Sequence, residues 1–337
     1  MQEQASLSEW KRLYELAIEY KNLKPWQHIC EADHILFKPF KNDIICACSV
    51  LGYERIDCRG AAIYIGDNAV QDYFDFIDRV NIPNCQNFRF QSYIAVYFGS
   101  RDETTPRDRQ IIDRLGYKFR GRNNWVYFRK YDKVFAPSEL KRNEVLDMIT
   151  SLAELNELLK AYIEDEVSVD FEEDEILMRE YNNEENSWIN YATKFEVPGA
   201  YYKIYDLDNE LEKRRLKKKK SSFSVIEADV IYLPTIIDDD RFEGPILPRF
   251  LTVVDEKREY IIEQYPLKPS DNYLELLFKI IVNYIMNNDK PKKIIFRNFD
   301  AMFAFEDFFR ELGIITEVKD ELIVIDKITS DMLEHFC

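Results

Sequence analysis

The stretch Ser224-Val-Ile-Glu-Ala-Asp-Val-Ile-Tyr-Leu-Pro234 is an apolar, β-branched run with two acids at its centre and a proline at its end. Such a run, bounded by turn residues and too short for a helix, reads as a buried strand. Working outward, residues 249–255 and 260–266 read as two further strands. A helix over 273–287, a strand over 292–297, a helix over 299–312 and a strand over 315–318 follow. The order is βββαβαβ. The acid in mid-strand, Asp229, is the first candidate for chemistry, because an ionised carboxylate in an apolar strand needs a partner or a task.

The rest of the chain sets limits. At 337 residues it is expected to form two domains, since single cores rarely grow past roughly 250–300 residues. A hydrophobic content of 46% is enough for real cores, and a net charge of −16 repels nucleic acid on average. Only 9 glycines occur, with no Gly-x-Gly-x-x-Gly and no P-loop, which argues against the common nucleotide-cofactor enzymes. Neither a secretory leader nor an apolar run of about 18 residues is read, so a cytoplasmic, bacterial-type protein with reduced thiols is expected.

The N-terminal part reads as mixed α+β. A helix over 6–22 is capped by Ser6 or Ser8, and strands follow over 35–40, 44–51 and 61–66, with a turn at 41–43. A helix over 69–80 and a strand over 92–98 come next. Thr105 and Pro106 then open a short helix that Gly116 stops, before a strand over 125–129. Ser138 is expected to cap a long helix over 139–164. Eight acids between 164 and 175 read as a solvated connector, and residues 213–220 hold seven Lys or Arg. The expected division is 1–164 as an N-terminal α+β domain and 165–222 as an acidic, then basic connector with an aromatic segment. Residues 223–337 form the C-terminal domain.

The βββαβαβ block resembles the RNase H-like fold of integrases and transposases. That resemblance implies carboxylates holding two divalent metals, with Asp229 on the first strand, Asp300 after the fourth and Glu334 on a late helix. Mg or Mn would then be bound by Asp229 and Asp300. Asn298 stands where the family's second acid is expected. A second candidate surface is the segment 101–133, with ten Lys or Arg against five acids, interleaved with aromatic residues. Arg101, Arg107, Arg120, Arg122, Trp125 and Lys130 are its binding candidates, since cations neutralise phosphates and rings stack on bases. The strings Leu115-Gly-Tyr-Lys-Phe-Arg-Gly-Arg122 and Pro248-Arg-Phe-Leu-Thr-Val-Val-Asp255 are similar to an uncharacterised bacterial family that pairs two domains of unknown function. Some of its relatives add a SEC-C motif, which is not expected here.

The sequence thus leads to a two-domain α+β protein with an N-terminal mixed domain and a C-terminal RNase H-like domain that is expected to be non-catalytic. The reading favoured is a binding or interaction protein without a cofactor. Its partner, nucleic acid or protein, would meet the basic–aromatic segment, and no membrane is involved. The alternative is a Mg- or Mn-dependent nuclease or transferase using Asp229, Asp300 and Glu334.

Overall fold

A computed structural model describes residues 4–40, 43–53, 58–79, 82–194 and 203–336. The chain divides into two compact units. The first comprises Met1–Asp78, Phe90–Asp132 and Pro137–Ala200; the second comprises Arg79–Arg89, Lys133–Ala136 and Tyr201–Cys337. The expected class, α+β in two domains, holds. Among the described residues no helix is long and apolar enough to cross a membrane.

The first unit is built on a seven-stranded sheet. Its strands are β1 (Ile35–Phe37), β2 (Cys46–Leu51), β3 (Arg59–Ile65), β4 (Tyr93–Gly99), β5 (Trp125–Tyr131), β6 (Glu175–Asn182) and β7 (Ser187–Lys194), in the order β5-β4-β3-β2-β1-β6-β7. All pairs are antiparallel except β1 with β6. β6 and β7 come from the stretch expected to be a connector. Ile176, Leu177 and Met178 are buried in the sheet, and the Asn- and Glu-rich residues 183–186 form the hairpin turn, where the Asn182 side chain accepts from the Glu184 N–H (2.9 Å). The acidity of the segment is real, but the short apolar run Ile176–Met178 is enough to secure a place in the sheet. The turn expected at 41–43 falls mostly outside the described residues.

Period-two alternation sorts β2 onto two faces. Cys46, Cys48 and Val50 face α1 (Leu7–Leu23), α3 (Pro106–Leu115) and α4 (Arg142–Ile163), while Ile45 and Ala47 face α2 (Asp67–Asp78). The helix starts follow local chemistry. The Ser6 hydroxyl accepts from the Glu9 N–H (3.2 Å) and the Ser6 N–H donates to the Glu9 carboxylate (2.6 Å), a reciprocal cap. Thr105 and Asp108 repeat that arrangement at α3, with Pro106 first in the helix and Gly116 closing it at φ 77°. Ser138 does not cap α4. Its backbone exchanges hydrogen bonds with Lys130 (2.8 and 2.9 Å), which extends the sheet edge, and the helix begins after Lys141.

The second unit carries a five-stranded sheet of β8 (Val225–Tyr232), β9 (Arg249–Asp255), β10 (Tyr260–Leu267), β11 (Lys293–Phe296) and β12 (Ile315–Val318). The order is β10-β9-β8-β11-β12; the first two pairings are antiparallel and the last two parallel. Ile226, Ala228, Val230 and Tyr232 face a core filled by α5 (Glu210–Lys218), α6 (Tyr273–Asn287) and α7 (Phe299–Glu311). Ile231 and Leu233 face the other way, towards α8 (Ile323–Phe336). Glu227 and Asp229 share the parity of Ile231, so both acids lie on the α8 face.

Candidate functional site

Parity decides what Glu227 and Asp229 meet. Glu227 accepts the backbone N–H groups of Val324 and Ile325 (both 3.0 Å) and so satisfies donors that the first turn of α8 leaves open. Burial raises its pKa against the pull of those donors.

Asp229 is engaged by two guanidinium groups. Arg89, from the 3-10 turn Asn84–Phe90, donates to both carboxylate oxygens (2.9 and 3.1 Å), and Arg297, next after β11, donates through Nε to Oδ2 (2.7 Å). The side chain of Asp229 is 1% exposed and that of Arg297 0%. Arg297 also pairs with Asp326 on α8 and donates to the carbonyl of Asp320. Arg89 donates further to Asn298 Oδ1, Gln86 Oε1 (3.0 Å) and the Val230 carbonyl (3.1 Å). Gln86 Oε1 in turn accepts the Tyr232 N–H (3.2 Å). Two carboxylates and two guanidinium groups thus balance in a nearly dry cluster where most polar atoms find partners, the condition under which buried ions persist.

Burial works against ionisation of Asp229, and the adjacent Arg89 and Arg297 charges outweigh it, so its pKa lies below the usual carboxylate value. The sign follows. A carboxylate whose folded pKa is depressed stabilises the fold at pH above its unfolded value, and that contribution is lost as pH falls through the folded one. The second unit is therefore expected to lose stability as pH drops below about 4. In Asp229→Asn this loss should flatten, as followed by urea unfolding at stepped pH. An unchanged pH slope in the variant would show that Asp229 is not the group responsible.

The other carboxylates expected to bind metal meet different surroundings. Asp300, in the first turn of α7, accepts a hydrogen bond from the Tyr273 hydroxyl and takes the Ala301 N–H (2.8 Å). Glu334 is exposed near the end of α8. Asp326, about two turns earlier on that helix, is the acid that joins the cluster. Among the described residues no group of three or more His, Cys, Asp or Glu is placed to hold a metal ion. Arg89, Arg297, Asp326 and Gln86 were missed. The signal for Arg297 was legible, since a charge closing the apolar run Ile294-Ile-Phe296 invites a buried counter-ion. Nothing local marks Arg89, which is 140 residues from its partner.

The basic–aromatic segment is largely absorbed by the first unit. Tyr117 and Phe119 stack with Tyr14 (5.6 and 6.3 Å between centroids), and Trp125 packs on the same core. Arg107 pairs with Glu139 (3.1 Å) and Lys130 with Glu144 (2.8 Å). Arg101 lies over the Trp125 ring at 6.0 Å and is exposed, as are Arg120 and Arg122. The segment's charge is therefore spent partly on local pairing, and its rings are not available for stacking bases as a set.

Residues 10–179 match a domain of unknown function, DUF7309, which covers half of the chain. The chain belongs to the DUF7309 family. Residues 212–333 match a second domain of unknown function, DUF6930, so that β8 to β12, Asp229, Arg297 and Asp326 fall within the DUF6930 segment, while Arg89 and Gln86 fall within residues 10–179. The DUF7309 match holds five of the seven strands of the first sheet, β1 to β5, and reaches into β6. No curated protein and no solved structure matches the chain.

Proposed function

We propose that this DUF7309 protein is a non-enzymatic binding protein whose DUF6930 segment is an RNase H-like module with its acid site closed by arginine. The strand order β10-β9-β8-β11-β12, with three antiparallel strands and then two parallel ones, supports the fold reading. In such a module the acids on the central strand, at the exit of its parallel neighbour and on the last helix would converge on two metal ions. Here Asp229, Asn298 and Asp326 converge instead on Arg89 and Arg297. One observation carries the reading: both oxygens of the buried Asp229 are held by guanidinium groups, which supply the positive charge that two-metal chemistry takes from ions.

Purified full-length protein, incubated with Mg or Mn and with single-stranded DNA, duplex DNA, RNA or an RNA–DNA hybrid, is expected to leave each substrate intact. Metal-dependent cleavage that disappears in Asp229→Asn would overturn the reading in favour of a nuclease.

A further inference from the structure

Away from the Asp229 cluster, the second unit has a cavity of about 660 Å³ at the start of β8, lined by the end of β9, the β9–β10 turn and the C-terminal end of α6. That volume lies in the range of small-molecule sites, roughly 300–1,000 Å³. Its chemistry is unlike the surrounding surface in three respects.

The first is Asp255, which lines the cavity and is 1% exposed. Its Oδ1 accepts the Arg258 N–H (3.0 Å) and shapes the β9–β10 turn, but its Oδ2 is buried with no hydrogen-bond partner. A buried carboxylate oxygen without a donor is costly, and buried acceptors are nearly always satisfied. The second is Phe223, beside the same cavity, whose ring is 84% exposed although large apolar side chains gain most from burial. The third is charge: Lys219, Lys257 and Arg258 line the cavity against Asp255 and Asp289. Arg258 Nε stands 3.9 Å from the open Oδ2. A cation so placed opposes a metal ion at Asp255 but leaves the oxygen able to accept from neutral hydroxyl or amine donors.

A ligand that answers all three features has a flat ring, vicinal hydroxyl donors and an anionic group. We propose that this cavity binds a ribonucleotide, with its base against Phe223, a ribose hydroxyl donating to Asp255 Oδ2 and its phosphate held by Lys219, Lys257 and Arg258. Acidic side chains accept ribose hydroxyls in other nucleotide sites, and aromatic rings stack bases of any sequence. The remaining Lys residues of the basic run, Lys217, Lys218 and Lys220, are exposed close in sequence to Lys219 and add to the field that an incoming phosphate meets. The inference names a ligand for a binding protein but does not depend on the closed acid site, because Asp255 pairs with Ile226, three residues before Asp229 on β8.

Isothermal titration calorimetry on the full chain tests it, with the four ribonucleoside monophosphates as ligands and the free nucleosides, ribose 5-phosphate and inorganic phosphate as controls. At least one monophosphate is expected to bind with a Kd of about 1–100 µM, and the controls each about tenfold or more weaker. Phe223→Ser and Lys257→Glu, at exposed positions that leave the core intact, should each weaken binding about tenfold. Asp255→Asn keeps the turn acceptor and turns the open acceptor into a donor, so it should weaken binding at least as much. A short 5′-phosphorylated oligoribonucleotide separates two sources of the same chemistry: tighter binding assigns the site to a strand end, and equal or weaker binding to the free nucleotide. Absence of binding for every monophosphate at about 1 mM, or binding that none of the variants changes, would overturn the proposal. Either failure would leave the arginine-closed acid site as it is, just as nuclease activity would leave this cavity's chemistry untouched.

Discussion

Arg297→Met is expected to cost the second unit about 3–5 kcal/mol of unfolding free energy at pH 7. The change removes a guanidinium with no exposure to solvent that serves Asp229, Asp326 and the Asp320 carbonyl together. Asp229 would keep Arg89, but Asp326, with its side chain 25% exposed, would lose its partner, and one negative charge would be left over at the edge of the buried cluster. The size of the effect comes from that leftover charge more than from the lost attraction, because buried ions are stabilised mainly by their partners and not by water. A compensated variant makes this testable. The quadruple variant Asp229→Leu/Arg89→Met/Arg297→Met/Asp326→Asn should be milder than Arg297→Met alone, since apolar groups of similar volume replace the buried ions and the Asp326→Asn change keeps an acceptor for the Leu322 N–H without a charge. Urea unfolding at pH 7 followed by far-UV circular dichroism compares the two. A cost below about 1 kcal/mol at pH 7 would show that the cluster is solvated and not structural.

Gly60→Ala should destabilise the first unit by about 3 kcal/mol or more. Gly60 lies within β3 and pairs with Tyr97 of β4; a Cβ built there would stand 2.0 Å from the Val96 carbonyl oxygen and 3.1 Å from its carbon. Both obstacles are backbone, so no rotamer change relieves them, and β3 and β4 would have to part. The Gly60 carbonyl also accepts the hydroxyl of the fully buried Tyr20 (2.9 Å), which ties α1 to the strand. Parting the strands would therefore disturb the helix layer as well. All four tryptophans, Trp10, Trp26, Trp125 and Trp188, lie in the first unit, so intrinsic fluorescence reads its unfolding directly. A midpoint in urea unchanged from the parent would contradict the close approach of β3 to β4.

The elements from β8 to β12 were legible because their signals are local, whereas α5, expected as part of the connector, packs Leu216 into the core of the second unit. The strands over 249–255 and 315–318 and the helix over 273–287 are found at the expected residues, and the others differ by one or two at their ends. Those boundaries follow from apolar periodicity and from caps such as Asn272, which accepts the Glu275 N–H (3.2 Å). The start of α4 was misplaced because Ser138 has the right side chain for a cap but the wrong tertiary neighbour, Lys130. The acids and neutral side chains between 164 and 187 hid β6 and β7, since their burial depends on a parallel partner, β1, about 140 residues earlier in the chain.

The candidate site shows the same division more sharply. By itself the sequence determined that a strand with the pattern of β8 would be buried, that Asp229 would share a face with Glu227, and that an ionised group there would need an answer. Those results rest on backbone periodicity and on the cost of desolvating a charge. Only the tertiary structure decided that the answer is a pair of guanidinium groups. Arg89 comes from a turn 140 residues away, and Asp326, not Glu334, is the acid on the last helix that completes the balance. A side chain's charge is written in the sequence, but the partner that neutralises it is chosen by which segments pack together. The difference between a metal site and a closed ion cluster therefore appears only once the chain is folded.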